Sequence, residues 1–159
     1  MVVCRELVAI NPANGLTLAH YPVLGSDQID TNILGCHRAH KAWQRVGFQQ
    51  RAAALLQLAQ KLESQRDELA ALITREMGKP LDQAAAEIEK CAWVCRDVAA
   101  SGRNHLSSEE IQLDGSVALV VPRPLGVVFA IMPWNFPFWQ VFRALAPALM
   151  VGNGLLLKG

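Results

Sequence analysis

Apolar and polar positions divide the chain into three stretches with different periods. Between residues 7 and 24 the apolar residues fall in short extended runs. Val8-Ala9-Ile10 leads into Asn11-Pro12-Ala13-Asn14-Gly15, and Leu16 to Leu24 continues beyond it. Proline presets one turn dihedral and Asn-Gly tolerates positive φ, so this stretch predicts an opening hairpin or paired extended segments, with Pro22 marking an edge. From Ser26 to about Arg103 the period becomes helical. Ser26 or Asp27 can cap a first helix that carries Ile29, Ile33, Cys36, His40 and Trp43 at spacings of three and four. A second helix carries Leu55, Leu58, Ala59 and Leu62, and a third carries Leu69, Leu72, Ile73 and Met77. Gly78 ends the third, and Lys79-Pro80 is a stop and restart signal. A fourth, from about Pro80, sets Leu81, Ala84, Ile88, Cys91, Cys95 and Val98 on one stripe, with Gly102 expected just past its end. These amphipathic helices with charged outer faces form a packing layer.

The third stretch reads as strands around one helix. Ser107-Ser108-Glu109-Glu110 is expected as a solvated loop or cap. Ile111 to Ser116 alternates and turns, and Val117 to Val121 extends, which predicts an antiparallel ribbon. Gly126 to Met132 is a continuous β-branched and apolar run, the pattern of a strand buried on both faces. Phe138 to Met150 suits a helix with Pro147 near its end or at a kink, and Leu155-Leu156-Leu157 is a second short buried strand. Strand, helix and strand in so short a span make a βαβ unit with a right-handed crossover.

Composition narrows the function classes. The 159 residues carry a formal net charge of +1, which gives no reason to expect nucleic acid or an anionic surface as partner. The N-terminus, Met1 to Glu6, lacks the basic and apolar regions of a secretory signal, and four cysteines make no dense disulfide framework. A cytoplasmic setting follows as the expectation. Pro124 to Phe142 has no formal charge and is long enough to span a bilayer, but Pro124, Pro133 and Pro137 interrupt the backbone ladder that a lipid-exposed helix needs. No membrane segment is expected. The chain stops two residues after Leu155-Leu156-Leu157, in apolar material, and so reads as truncated.

Few residues announce chemistry. Cys91 and Cys95 share one helix face and are expected as small buried or half-buried thiols, with Cys4 and Cys36 elsewhere. His20, His37, His40 and His105 have no Cys or acidic residues at metal-ligand spacing, so they are expected to be solvated or hydrogen-bonded, with no metal site. Gly152-Asn153-Gly154 enters a strand instead of opening a helix and fails as a dinucleotide fingerprint. Ligands of open α/β sheets bind beyond the carboxyl ends of the strands, here Pro133-Trp134-Asn135-Phe136-Pro137 and Lys158. From composition alone, the first of these reads as a buried turn in which Asn135 satisfies loop carbonyls and Trp134 fills core.

Taken together, Pro124-Leu125-Gly126-Val127-Val128, Met132-Pro133-Trp134-Asn135-Phe136-Pro137, Ala146-Pro147-Ala148-Leu149, Gly152-Asn153 and Leu157-Lys158 resemble the NAD(P)-dependent aldehyde dehydrogenase superfamily. Ile10 to Gly15 and Thr74-Arg75-Glu76-Met77-Gly78-Lys79-Pro80 look like two further signatures in the expected order. Trp139-Gln140 and Gly154 to Lys158 are most similar to the succinate-semialdehyde dehydrogenase branch. The resemblance implies an α/β chain: residues 1–110 as extended segments and helices of the cofactor-binding domain, 111–124 as an oligomerisation-type β-ribbon, and 125–159 as the incomplete start of a Rossmann-like sheet.

It also implies roles. Asn135 would donate to the oxyanion formed when a cysteine attacks a small-molecule aldehyde. Ile131, Met132, Pro133 and Trp134, with Asn135, would line the NAD or NADP cleft, and Lys158 would hydrogen-bond the adenine ribose. Arg143, on the following helix, would orient Asn135. The family's nucleophilic cysteine and general-base glutamate lie downstream of the lysine motif and have no counterpart here. The resemblance therefore implies a chain that is inactive alone, or one that docks on full-length relatives through the 111–121 ribbon, or an unstable product of an interrupted reading frame.

Overall fold

The computed structural model describes residues 6–158; residues 1–5, among them Cys4 and most of the segment searched for a targeting signal, and Gly159 lie outside the described residues. The chain opens with strands β1 (Glu6–Ile10) and β2 (Thr17–Pro22), then runs through helices α1 (Ser26–Trp43), α2 (Phe48–Ser64), α3 (Arg66–Met77) and α4 (Leu81–His105). Strands β3 (Glu109–Leu113) and β4 (Ser116–Val120) follow, and β5 (Val127–Ile131), α5 (Trp139–Val151) and β6 (Gly154–Lys158) end it. The pairs β1–β2 and β3–β4 are antiparallel, while β5 and β6 are parallel, as a βαβ unit requires. This is the expected α/β arrangement of a helical layer, a ribbon and one βαβ unit.

The hairpin turn is held by its own side chains. Asn11 Oδ1 accepts from the Ala13 N–H at 2.9 Å and Asn14 Oδ1 from the Leu16 N–H at 3.0 Å. Gly15 takes the left-handed conformation, with φ of 72°, that the turn demands. In the helical layer, Leu55, Ala59 and Leu62 of α2 meet Ala70 and Ile73 of α3 and Ala84, Ile88, Cys91 and Cys95 of α4. Phe142, Ala146 and Met150 of α5 close the same core. Helices α2 to α5 thus bury most of the stripe that their sequence period marks, though Leu81 at the start of α4 is exposed, whereas on α1 Ile29 and Ile33 are exposed and only His40 is buried. In α5, Pro147 sits inside the helix and has no N–H to offer the Arg143 carbonyl.

Four expectations need correction here, besides one at the candidate site below. Gly102 does not lie past the end of α4 but inside it, because the helix runs on to His105. Its role is close approach: a Cβ there would stand 2.5 Å from Cγ of the fully buried Met150. Neither Ser26 nor Asp27 caps α1. Gly25 is the N-cap, and its N–H donates to Gln28 Oε1 at 3.0 Å, the half of a capping box that needs no side chain at the cap. Glu109 and Glu110 are paired strand residues of β3, opposite Val120 and Leu119, because the ribbon extends two residues further back than its alternation shows. Finally, β5 is not buried on both faces. Phe129 is 61% and Ile131 64% exposed, and β6 is half-buried with Leu157 exposed, because a two-stranded pair with only α1 and α5 against it leaves part of the surface of these residues uncovered.

The segment from Pro124 to Phe142 is strand, turn and helix start, and no helix among the described residues is long and apolar enough to cross a membrane. Cys91 and Cys95 are free and fully buried, as expected. Burial pushes the Cys91 thiol up to about 12, with the nearby Glu87 charge adding to it, and pushes Cys95 up to about 11.

Two predictions come from this core. Alanine at Gly102 ordinarily gains about 1 kcal/mol of helix propensity, but overpacking costs about 1–3 kcal/mol. Because Cγ lies near the root of the buried Met150 side chain and would have to be displaced, Gly102→Ala is expected to lower stability in urea unfolding, and an unchanged or higher midpoint would refute the close-approach role. For the thiols, the folded state holds its protons above the ordinary value of 9.0, so the stability they confer is complete below pH 9 and lost as pH rises toward about 11 to 12. Alkylation at pH 8 is expected to label Cys91 and Cys95 only after denaturation; rapid labelling of the native chain would contradict it.

Candidate functional site

The parallel register of β5 and β6 places Val127 beside Gly154 and Ile131 beside Lys158, so both strands end level with one another. Ile131 and Lys158 are exposed at that carboxyl edge. The chain leaves β5 through Met132 and turns at Pro133-Trp134-Asn135-Phe136-Pro137 before entering α5. Trp134 is 53% exposed, and Asn135 is exposed as well. The expectation of a buried turn with Trp134 filling core is therefore wrong. Two prolines fix the backbone and leave the indole and the amide outside, on the same edge as Lys158.

The far end of this turn is anchored from α4. Glu87 Oε1 accepts from the N–H groups of Phe138 and Trp139 at 2.9 and 3.0 Å. These are among the N–H groups that the start of α5 would otherwise leave unpaired, and the helix dipole favours a negative charge at this end. The other oxygen, Oε2, pairs with the Lys79 ammonium, and both side chains are buried. Lys79 Nζ also lies 3.7 Å from the centre of the Phe136 ring, a cation–π contact inside the turn itself. Lys90 makes a second such contact with Trp139, at 4.1 Å.

Lys79 reaches this place because Gly78 ends α3 in the left-handed conformation, with φ of 76°. Pro12 of the hairpin turn packs on that glycine so closely that a Cβ would stand 3.1 Å from its Cγ. The hairpin motif, the Gly78-Lys79-Pro80 motif and the Pro133–Pro137 motif, far apart in sequence, thus touch in series.

A second joint holds β6 beneath α1. His40 Nδ1 hydrogen-bonds the Gly152 carbonyl at 2.9 Å, and Trp43 Nε1 donates to the Leu149 carbonyl at 2.8 Å. Asn153 is buried, and its Oδ1 accepts from the Gly126 N–H at 2.9 Å, while the Gly154 N–H donates to the Gly126 carbonyl at the same distance. Gly154 leaves room for Cys36 and His40 of α1, at 3.0 and 3.3 Å from the Cβ it lacks. The Gly152-Asn153-Gly154 glycines therefore close a helix and admit another helix, as their failure as a fingerprint suggests. Arg51, also buried, donates to the Val46 carbonyl at 2.7 Å and lies over the Phe48 ring, and desolvation lowers its pKa.

The structure brings Ile131, Met132, Pro133, Trp134, Asn135 and Lys158 to one edge. Arg143 is exposed on α5, and the groups that hold the turn are Glu87 and Lys79. Sequence reasoning missed these two. One signal was available: Glu87 falls between Ala84 and Ile88 on the apolar stripe of α4, and a carboxylate there must find partners.

The profile of the aldehyde dehydrogenase family matches residues 4–159. A probable succinate-semialdehyde dehydrogenase [NADP(+)] of Synechocystis is 43% identical over 152 residues, 96% of this chain and 34% of that protein. A succinate semialdehyde dehydrogenase [NAD(P)+] of Escherichia coli is 40% identical over 95% of this chain and 33% of its own length. The crystal structure of a succinic semialdehyde dehydrogenase from Streptococcus pyogenes, in complex with NADP+, superposes with a TM-score of 0.90 at 30% identity, covering 95% of this chain and 33% of that one. The chain spans about a third of the length of the relatives it matches. The chain belongs to the aldehyde dehydrogenase family.

Proposed function

We propose that this chain supplies one wall of an aldehyde-oxidising site: the oxyanion donor Asn135 and one flank of a NAD(P) cleft formed by Ile131, Met132, Pro133, Trp134 and Lys158. The observation that carries this reading is the β5–β6 register, which sets Ile131 beside Lys158 at the carboxyl edge where the exposed Asn135 turn begins. The chemistry of these residues suits a dinucleotide: an apolar side chain and an indole for a ring face, and an ammonium for ribose hydroxyls or a phosphate. When bound, the nicotinamide supplies the hydride acceptor for aldehyde oxidation.

The residues of this chain have narrower tasks. An aldehyde carbonyl under nucleophilic attack gathers negative charge on its oxygen, and the Asn135 side-chain N–H is a donor for that charge. One preorganised donor of this kind is worth about 10²–10³ in rate. The two prolines restrict the turn in advance, so little ordering is left for the moment of reaction. Nucleophile and base are a different matter. Cys91 and Cys95 are buried with raised pKa values, and Cys36 sits under β6. None serves as the attacking thiolate, and the 159 residues alone are inactive in this proposal.

The names of the relatives support succinate semialdehyde as the aldehyde and NADP as the cofactor. The free thiols of Cys36, Cys91 and Cys95 fit a reducing, cytoplasmic setting. A docking role is favoured by one observation: the β3–β4 ribbon leaves Ile111, Leu113, Val117 and Leu119 exposed, a surface for joining a full-length relative.

A chain holding one flank of a cleft is expected to bind NADP+ weakly, with Kd of about 1 mM or above. In an NMR titration the shifts should cluster at Ile131, Met132, Trp134 and Lys158, and Lys158→Ala should weaken them. Perturbations elsewhere, or none at high ligand, would refute the site. Purified chain mixed with NADP+ and succinate semialdehyde is expected to give no absorbance rise at the NADPH wavelength. Aldehyde-dependent reduction would overturn the assignment of inactivity.

A further inference from the structure

We propose that Glu87 and Lys79 are positioning residues for Asn135, fixing the Pro133–Pro137 turn from behind through the first N–H groups of α5. The inference rests on the reading of Asn135 as oxyanion donor, but the clamp itself is a matter of geometry.

Four contacts define it. Both Phe138 and Trp139 donate to the same oxygen of Glu87, the other oxygen takes the Lys79 ammonium, and that ammonium lies on Phe136. Phe136 is the residue after Asn135, and Phe138 is the third after it. The near end of the turn is held by pairing of Ile131 with Lys158 in the sheet. Asn135 is thus suspended between two anchors, with Pro133 and Pro137 limiting the backbone between them.

A purely structural pair would have a simpler solution. Two buried charges are commonly replaced by well-packed apolar residues with no loss of stability, whereas removing one partner strands the other. What an apolar pair cannot do is accept from the Phe138 and Trp139 N–H groups. The carboxylate divides its two oxygens between holding Lys79 and holding the turn, and Lys79 in turn covers the ring next to Asn135. This arrangement constrains a location as well as filling a volume.

The test uses the 159-residue chain and two double variants. Glu87→Leu with Lys79→Met removes both charges together and leaves no buried ion unpaired, but provides no acceptor. Glu87→Gln with Lys79→Met keeps one side-chain carbonyl at the amides. Residue-resolved hydrogen exchange and the NMR signal of the Asn135 side-chain amide are measured for each. For the Leu/Met pair, exchange at Phe138 and Trp139 is expected to rise by roughly tenfold or more, with a broadened or shifted Asn135 side-chain signal and unchanged protection at Leu55 and Ile88. The Gln/Met pair is expected to restore most of the protection and the signal. Unchanged exchange and an unchanged Asn135 signal in the Leu/Met pair would overturn the proposal, as would a loss of protection spread evenly through α2 and α4 in that pair but absent from the Gln/Met pair. Failure of NADP+ to perturb Ile131 and Lys158 would count against the functional reading alone and leave this clamp standing.

Discussion

The buried ion pair between Lys79 and Glu87 ties the helical layer to the strand–turn–helix unit. Its partners come from three directions: the left-handed end of α3 delivers the lysine, the apolar stripe of α4 carries the glutamate, and the start of α5 donates the two N–H groups. An ion pair in such a place must satisfy its remaining lone pairs to be tolerated at all, because desolvation of each charge costs several kcal/mol. Here that requirement is met by the helix start, whose own unpaired N–H groups need an acceptor. Two deficits cancel, and the meeting point is fixed between the turn and the helical core. Apolar packing alone would let α5 slide or rotate by small amounts. A carboxylate shared between an ammonium and two amides does not.

The second joint works by smallness. Gly154 admits α1 against β6, Gly102 admits Met150 against α4, and Gly78 admits Pro12 at the start of the lysine's path. At each of these places a side chain would hold two elements apart. The polar bonds of His40, Trp43 and Asn153 then fix what the glycines let approach. Close backbone approach and side-chain bonds to buried carbonyls together set the depth of the β5–β6 pair relative to α1.

Much of this was legible in the order of residues, and what was not legible fails for identifiable reasons. Helices α2, α3 and α4 show themselves because each buries most of a stripe at period 3.6, α1 shows the same period but leaves Ile29 and Ile33 exposed, and the alternation in 111–121 shows the ribbon. Gly102 misled because a glycine after an apolar stripe looks the same whether it ends a helix or lets another chain element come near; only Met150, 48 positions away in sequence, distinguishes the two. Glu87 stood out as a carboxylate on an apolar stripe, but its role was hidden for the same reason, since its amide partners lie 51 and 52 residues on. A continuous apolar run such as Val127 to Ile131 describes the surroundings a strand is suited to, and its exposed Phe129 and Ile131 show that this chain supplies only part of them. The Asn135 turn had no periodic signature at all; its role was readable only through resemblance of motifs, and its exposure only from the fold.

That bare strand has a consequence for how the molecule meets other chains. Among the described residues β5 and β6 pair only with each other, so each presents an outer row of N–H and C=O groups flanked by side chains such as Phe129 and Leu157. An unpaired parallel edge beside apolar side chains is a template: it selects an incoming segment by backbone direction and by alternation of side chains, with little regard to detailed sequence. The same two strands that line up Ile131 with Lys158 therefore also leave an edge whose direction and register any added strand would have to match.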